Sequence, residues 1–327
     1  MSTGACGHDM SGVREGLLAT ATVVICTYNR PEMLLRAVET ARTQSLRPEF
    51  SAEILVVDNS REANARDAVL TMQGGPGLTV RYLSTPNPNI SHARNAGVTH
   101  SAGDYVVFLD DDEWCELGWL DALIDNAEQT GADAVFGAVL PVFPDGMPAF
   151  DPTGRSLERR MALPSGNWIG LHHDTRISGL WIGTCNSLFR RARCFSNDTP
   201  FDPALGVVGG EDYDLFVRLS QAGRRFTWCA EAVVWEAIPG PRITMAYRRR
   251  RAFTTGQQFS TITIRRAQHG TLAVLIVTLK GVVQLALVAA QWGWCRLIGK
   301  ADAMSRELKV WMVAGKLIWW TLPLCRS

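Results

Sequence analysis

This sequence of 327 residues lacks the glycine-rich signatures with which many proteins hold nucleotide phosphates. Neither G-x-G-x-x-G nor G-x-x-x-x-G-K-[ST] occurs in it, so it predicts neither a dinucleotide-binding fold nor a P-loop. Pairs of the form C-x-x-C are also absent, and the eight cysteines show no repeated spacing. A zinc site and a disulfide framework are therefore not expected, and dispersed thiols fit a reducing compartment.

The first twenty residues contain neither a basic segment nor an apolar run, so they do not predict a secretory signal. We expect residues 1–20 to form a flexible leader and the body of the protein to stay in the cytosol.

Charge is divided unequally along the chain, although the formal net charge is only +1. Residues 1–236 carry 19 Lys and Arg against 30 Asp and Glu, whereas residues 237–327 carry 14 against two. The acidic part suits a site that uses a cation. The basic part suits an anionic surface, either a membrane or a nucleic acid.

Strands and helices alternate through the first third of the sequence. Short apolar runs predict strands at 22–26, 53–57, 79–83 and 105–109, and helical periodicity appears at 32–44, 62–73 and 89–99. This order predicts an α/β fold with a mostly parallel sheet and helices on both faces. Ligands of such sheets bind beyond the carboxyl ends of the strands, so we expect Thr27, Asp58 and Asp110 to face one crevice.

Three adjacent carboxylates, Asp110, Asp111 and Asp112, follow the apolar run Tyr105–Leu109. Such acids repel one another unless water or a cation lies against them, so we interpret them as a site for a divalent ion that in turn holds phosphate. An acidic turn that caps the next helix is the alternative. Asp58 suits an imide N–H such as that of uracil, with an Asx-turn as its alternative.

A second acidic pair, Glu211 and Asp212, follows the glycine-rich segment 206–210 at the predicted start of a helix. A flexible loop of this kind can deliver a carboxylate to a reaction, whereas acids at a helix start also stabilise the helix without any chemistry. Trp181 and Asn186, on a predicted strand over residues 181–190, are weaker candidates for contact with a sugar.

The C-terminal ninety residues combine basic and aromatic side chains. Arg248–Arg251 form a basic run suited to nucleic acid, anionic lipid or the diphosphate of a lipid carrier. Residues 271–294 are apolar enough to span a bilayer, but Lys280 and Gln284 interrupt them, so spanning and lying flat both stay open. Five tryptophans interleaved with Lys and Arg favour an anionic membrane surface, and no nucleic-acid-binding module is visible.

Five short motifs occur in the order and rough spacing seen in family 2 glycosyltransferases, over about residues 20–255. They are Thr27-Tyr28-Asn29-Arg30, Val56-Val57-Asp58-Asn59, Ala93-Arg94-Asn95-Ala96-Gly97, Phe108-Leu109-Asp110-Asp111-Asp112 and Gly209-Gly210-Glu211-Asp212. The sequence resembles in particular the bacterial enzymes that extend lipid-linked exopolysaccharide units, such as succinoglycan-type glucosyltransferases. The resemblance implies a GT-A fold, a nucleoside diphosphate sugar donor, inversion at the anomeric carbon, and Mg²⁺ or Mn²⁺ as cofactor.

The resemblance also implies roles for the donor-side residues. The donor nucleotide would contact a set of eight residues: Thr27, Tyr28, Asn29, Arg30, Asp58, Arg94, Asp110 and Asp111. Within this set, Asp58 would accept from uracil and Arg94 would lie near the phosphates. Asp112 would ligate the metal directly, with Asp110 as a second ligand. Where many relatives have a histidine this sequence has Glu236, which is a possible further ligand.

By the same resemblance, Asp212 is the base that takes the proton of the acceptor hydroxyl, and Glu211 positions the acceptor or the backbone, with the reverse assignment of the two acids as the alternative. We therefore expect a catalytic domain over 21–240 and a basic, Trp-rich helical region for membrane association over 241–327.

The predicted function is transfer of a sugar from a UDP-sugar to a lipid-linked glycan on the cytoplasmic face of the inner membrane. A catalytically silent scaffold and a sugar-nucleotide nucleotidyltransferase are the alternatives. The latter is expected to carry a glycine-rich loop after its first strand, and ICTYNRP is not such a loop.

Overall fold

The computed structural model describes residues 19–148, 150–171, 182–197, 199–299 and 303–322. Trp181 and the predicted leader, apart from its last two residues, lie outside the described residues. Nine strands are present in the described part of the chain. They are β1 (Ala19–Thr27), β2 (Phe50–Asp58), β3 (Thr79–Ser84), β4 (Tyr105–Asp110), β5 (Glu113–Cys115), β6 (Ala134–Val142), β7 (Trp168–Ile169), β8 (Ser187–Arg190) and β9 (Phe226–Ala237).

The helices surround this sheet and continue beyond it. They are α1 (Pro31–Arg42), α2 (Arg66–Leu70), α3 (Ile90–His100), α4 (Trp119–Thr130), α5 (Arg191–Cys194), α6 (Leu205–Val208), α7 (Glu211–Gln221), α8 (Met245–Arg265), α9 (Gly270–Leu297) and α10 (Ala303–Leu317). Three short 3-10 turns, at Arg155–Leu157, Gly240–Ile243 and Trp319–Thr321, complete the described elements.

All nine strands belong to one mixed sheet with the order β3-β2-β1-β4-β8-β6-β9-β5, and β7 pairs with β9. Its four longest pairings, β1 with β2, β1 with β4, β2 with β3 and β6 with β9, are parallel. Thr27 is in register with Asp58, and Cys26 with Asp110. The predicted mixed, mostly parallel sheet is confirmed, and the register brings the three strand ends named above to one edge.

Apolar side chains cover both faces of the sheet. Along β1, Val23 and Ile25 pack into one core cluster with α1, α2 and α4, whereas Val24 packs into the other with α3 and α7. A strand buried on both faces needs continuous rather than alternating apolar residues, which is why β1, β2 and β4 appear as apolar runs. Each fully buried Val or Ile contributes about 1.5–3 kcal/mol, so this two-sided core fixes the strand ends in place.

Two predicted elements are shorter in the structure than their sequence patterns suggested. Helical periodicity at 62–73 yields only α2, because the preceding residues form a turn in which the Asp58 carboxylate accepts from the backbone N–H groups of Ser60 and Ala65. The strand predicted over 181–190 reaches back only to Ser187, because Asn186 adopts a positive φ of 49° that ends the extended conformation.

The C-terminal helices pack on one another and on the catalytic body. Gly256 of α8 and Gly315 of α10 allow the backbones of these helices to touch, since a Cβ at Gly256 would lie 1.9 Å from the Met312 carbonyl oxygen. On its other side, α8 packs Phe259 on Tyr213 of α7. Among the described helices, α9 alone is long and apolar enough to cross a membrane, and only 6% of its most apolar stretch is buried.

Candidate functional site

A cavity of about 880 Å³ opens beyond the carboxyl ends of β1 and β4. Its walls come from the acidic triplet, the segment 155–159, the loop before α7 and one face of α8. Parallel strands direct their C-terminal residues to this edge, where ligands of α/β sheets bind. The structure therefore brings the acidic triplet and the Glu211-Asp212 pair to one cavity.

The three carboxylates of the triplet have different surroundings. Asp111 is held by the Thr27 hydroxyl at 2.8 Å and by Arg30 at 3.2 Å, so it is fixed within the protein. Asp112 accepts from Arg30 and Arg242 through its Oδ2 atom only. Asp110 is the most open of the three, with 38% of its side chain exposed.

Removal from bulk water raises the pKa of Asp110 to about 6, even though part of its side chain faces the cavity. The guanidinium of Arg94 opposes this rise, and the neighbouring Asp112 carboxylate adds to it. Mutual repulsion of this kind is what a bound cation relieves.

Two groups of side chains are candidates for holding a cation. Asp110 and Asp112 offer carboxylate oxygens to the cavity, and hard ions such as Mg²⁺ and Mn²⁺ prefer oxygen ligands. Asp110 also lies close to Glu113 and Cys185, but burial raises the pKa of the Cys185 thiol well above its usual value, and a protonated thiol is a poor ligand. The ligand atoms of Asp110 and Asp112 therefore suit such an ion, whereas the group that includes Cys185 does not.

Glu236 lies on the same wall, at the end of β9. It accepts from Arg159 at 2.8 Å and lies 3.5 Å from Arg242, which also contacts Asp112. Arg159 in turn reaches the buried Glu113 at 3.3 Å. A single guanidinium, that of Arg242, thus links Glu236 to Asp112. A role of Glu236 in metal binding stays a prediction.

The four residues after β1 have different positions. Thr27 and Arg30 hold the triplet, as described above, and Tyr28 is 47% exposed and lines the cavity. Asn29, at a positive φ of 55°, accepts from the Asn64 amide at 2.9 Å instead and does not line the cavity. The structure therefore brings three of the four predicted residues to the cavity.

Asp58 is at the predicted strand end, but its carboxylate is fully buried. Oδ1 accepts from the backbone and hydroxyl of Ser60, and Oδ2 accepts from Ala65 N–H and from the Tyr82 hydroxyl at 2.9 Å. These four bonds use the acceptor capacity of a carboxylate. In this conformation Asp58 organises its own turn, as the Asx-turn alternative proposed, and contact with uracil stays a prediction that requires one of these hydroxyls to move.

Sequence reasoning missed the next residue, Asn59. Its side chain lines the cavity, is only 4% exposed, and has a buried Oδ1 atom without a hydrogen-bond partner among the described residues. A buried unsatisfied acceptor costs about 1–3 kcal/mol, so a ligand N–H at this position would be favoured. In the Asp58-Asn59 motif, the sequence indicates a ligand contact for Asp58 alone, because an ionised carboxylate is the stronger hydrogen-bond acceptor.

Arg94 joins the two acidic clusters. Its guanidinium bonds to Glu211 and lies 3.7 Å from Asp110, and the side chains of Arg94 and Glu211 are each only 9% exposed. Asp212 is less confined: Oδ1 accepts from the Tyr213 N–H at 2.7 Å, and Oδ2 has no partner among the described residues. Each of the two predicted catalytic acids thus has one oxygen without a partner among the described residues, but that of Glu211 is buried and its carboxylate is held by Arg94.

Asn186 has a structural position, which corrects the expectation that it contacts a sugar. It is fully buried, accepts from the Trp119 indole at 2.7 Å, and donates to the carbonyl oxygens of Ala138 and Ala232 at 2.8 Å each. Its side chain thus fills a gap between strands, where no carbohydrate has access.

Residues from the predicted membrane region also line the cavity. Arg242 contacts Asp112, and α8 contributes Tyr247, Arg248, Arg251 and Gln258. Gln258 donates to the Val208 carbonyl oxygen at 2.5 Å and so supports the loop before Glu211. The helical spacing of these residues is a signal in the sequence, but nothing local shows that this helix folds back over the sheet.

Comparison with known proteins agrees with this geometry. Residues 22–189 match the sequence profile of the family "Glycosyl transferase family 2". The succinoglycan biosynthesis protein ExoM of Rhizobium meliloti is 31% identical over 271 residues, which cover 83% of this chain and 81% of ExoM. A GalNAc(5)-diNAcBac-PP-undecaprenol beta-1,3-glucosyltransferase of Campylobacter jejuni is 28% identical over 42% of this chain and 43% of its own.

Among solved structures, S. aureus TarS 1–349, crystallised in complex with UDP, superposes with a TM-score of 0.50 at 13% identity over 90% of each chain. This likeness concerns the fold, which is GT-A. Since the family profile covers half of the sequence and ExoM is similar over most of its length, this chain belongs to glycosyltransferase family 2.

Proposed function

We propose that this protein is an inverting glycosyltransferase that uses a divalent cation and moves a sugar from a UDP-sugar to a hydroxyl of a lipid-linked glycan. The observation that carries the proposal is the position of Arg94, whose guanidinium lies between the acidic triplet at the end of β4 and the Glu211-Asp212 pair. A donor site and a proton acceptor therefore share one cavity.

The donor half combines carboxylates for a cation with arginines for phosphate. Asp110 and Asp112 would hold Mg²⁺ or Mn²⁺, which neutralises charge on the departing diphosphate. Arg30 and Arg242 already flank Asp112 at 3.2 and 3.0 Å, so they lie where phosphate oxygens bound to such an ion would need further positive charge. Tyr28 and Asn59 on the cavity wall would contact the nucleoside.

Asp212 is the proposed base. An inverting transfer needs one carboxylate to take the proton of the attacking hydroxyl, on the side of the sugar opposite the leaving group. Asp212 lines the cavity, and its Oδ2 atom has no hydrogen-bond partner among the described residues. Gln258 of α8 stabilises the loop before it by a hydrogen bond to the Val208 carbonyl oxygen. Glu211 is the positioning residue, because its contact with Arg94 fixes the start of α7.

The acceptor half adjoins the C-terminal helices. Leu275 and Leu279 of α9 are 63% and 64% exposed, and Trp294 is 64% exposed, which suits an anionic membrane at the cytoplasmic face. ExoM is a succinoglycan biosynthesis protein, and the Campylobacter enzyme is a glucosyltransferase named for an undecaprenol-linked glycan. The second of these supports a lipid-linked acceptor, since such a substrate reaches the enzyme at a membrane.

The test is a transfer assay with the full-length protein in membranes. Radiolabelled UDP-sugars are supplied singly with lipid-linked glycan acceptors, and label in the lipid fraction is counted with and without EDTA. We expect transfer from one UDP-sugar that EDTA abolishes and Mg²⁺ or Mn²⁺ restores. UDP binding without transfer from any donor indicates the silent scaffold, and sugar-1-phosphate-dependent release of diphosphate from UTP indicates the nucleotidyltransferase.

A further inference from the structure

One face of α8 forms a wall of the cavity and carries two arginines. Arg248, Arg251, Thr255 and Gln258 line the cavity at helical spacing, about 15 Å from the first to the last. The Gln258 end of this row contacts the loop that carries the proposed base. The row therefore leads from the reaction centre toward the start of α8.

Arg248 and Arg251 differ from four other cavity arginines in lacking an acidic partner among the described residues, and Arg155, on the segment 155–159, shares this lack. Arg30, Arg94, Arg159 and Arg242 all lie within 4.0 Å of a carboxylate, whereas among the described residues no carboxylate lies within that distance of Arg248 or Arg251. The Nε atom of Arg248 is moreover buried without a hydrogen-bond partner. Two guanidinium groups on the α8 wall of the cavity are thus available to an anion.

Their placement is unfavourable for the protein without a ligand. Four consecutive arginines occupy the first two turns of α8, where the helix dipole disfavours positive charge. Like charges three residues apart on a helix repel each other. Burial lowers the pKa of Arg248, and the Arg251 guanidinium adds to this effect. A bound anion would offset each of these costs.

The position of the arginines favours a lipid phosphate over the donor phosphate. The donor side has its own cations, Arg30 and Arg242, on Asp112. Arg249, next to Arg248, pairs with Glu307 of α10 at 2.6 Å, and the adjacent Arg306 bonds to Gln291 of α9 at 3.1 Å.

The start of α8 is therefore level with the end of α9. Trp292, next to Gln291, and Arg296 lie at this end of α9, where Arg296 packs over the Trp292 ring. Such a Trp and Arg pair is typical of a membrane interface, which is where the phosphates of a membrane lipid lie.

We infer that Arg248 and Arg251 bind the diphosphate of the lipid-linked acceptor and so orient its glycan along α8 toward Asp212. This inference rests on the proposed function and specifies the acceptor as a polyprenyl diphosphate derivative. Guanidinium groups suit this role because they form paired, charge-assisted hydrogen bonds with phosphate oxygens. Arg250 lies on the same helix, is exposed, and does not line the cavity, so it provides a matched control.

The experiment measures binding of farnesyl diphosphate and of farnesol to the full-length protein in detergent, saturated with UDP and Mg²⁺ so that the donor site is filled. We expect farnesyl diphosphate to bind at least tenfold more tightly than farnesol. Arg248→Gln combined with Arg251→Gln should weaken the diphosphate at least tenfold and leave farnesol unchanged. Arg250→Gln should stay within twofold of the wild type, and Lys at both positions should restore part of the affinity.

Four results would overturn the inference. Equal binding of farnesol indicates an apolar contact only, and displacement of farnesyl diphosphate by further UDP indicates the donor site. An equal loss in Arg250→Gln indicates general attraction of anions. Unchanged binding in the double variant places the diphosphate elsewhere. UDP affinity and sugar transfer, measured on the same preparations, report separately on the proposed function, and thermal unfolding shows whether each variant is folded.

Discussion

The substitution Asp212→Asn separates a chemical role from a structural one. General-base catalysis contributes about 10²–10⁴-fold to rates, which corresponds to about 3–5 kcal/mol of activation free energy. Because Asn has no basic oxygen, we expect kcat for transfer to fall by that factor. The Asn side-chain oxygen can still accept from the Tyr213 N–H, so the free energy of unfolding should change by only about 0.5 kcal/mol.

Glu211→Gln is the matched comparison, because it removes one carboxylate charge from the adjacent position. The side chains of Glu211 and its partner Arg94 are both 9% exposed, and leaving one member of a buried ion pair uncompensated costs about 3–5 kcal/mol, an upper bound here because Asp110 remains 3.7 Å from Arg94. We therefore expect Glu211→Gln to lower stability by an amount of this order, in addition to any loss of transfer. Stability can be measured by chemical denaturation of the full-length protein in detergent.

The assay follows label transfer to the lipid fraction, and UDP affinity is measured by calorimetry. For Asp212→Asn, we expect UDP affinity within about twofold of the wild type, since the proposed nucleoside contacts, Tyr28 and Asn59, belong to other elements. Near-normal turnover of Asp212→Asn would refute the assignment. A large loss of kcat in Glu211→Gln at unchanged stability would indicate that Glu211 is the base and Asp212 the positioning residue.

Three further outcomes follow from the packing. Asn186→Ala should lower the free energy of unfolding by about 3 kcal/mol, because it leaves buried groups without partners; unchanged stability in denaturant titration would contradict the structural role. Gly256→Val should separate α8 from α10 and lower the thermal midpoint, whereas Gly293→Val, where the added side chain meets open space, should not. Leu275→Glu with Leu279→Glu should move the protein to the soluble fraction on centrifugation of lysates, and retention with membranes would show that the exposed apolar surface of α9 is not the attachment site.

The sequence alone was sufficient for the βα units and for the location of the acids. Runs such as Val23–Ile25 are apolar because both faces of the strand are buried, and this local property survives folding unchanged. Asp110 was recognisable because adjacent carboxylates at the end of an apolar strand repel one another, and Glu211 because an acidic pair follows a glycine-rich segment at a predicted helix start. The strands and the positions of the acids depend on residues that are adjacent in the chain, so local sequence patterns predict them.

Only the tertiary structure decided which polar groups are free to act. Asp58 and Asn186 had the chemistry of ligand contacts, but their partners Tyr82 and Trp119 are distant in sequence and consume their hydrogen-bonding capacity. Conversely, Arg248 belonged to a basic run whose three possible ligands the sequence did not separate. Its place on the cavity wall results from packing of α8 against α7. Burial and pairing are properties of through-space neighbours, whereas the sequence specifies the residue types that compete for those positions.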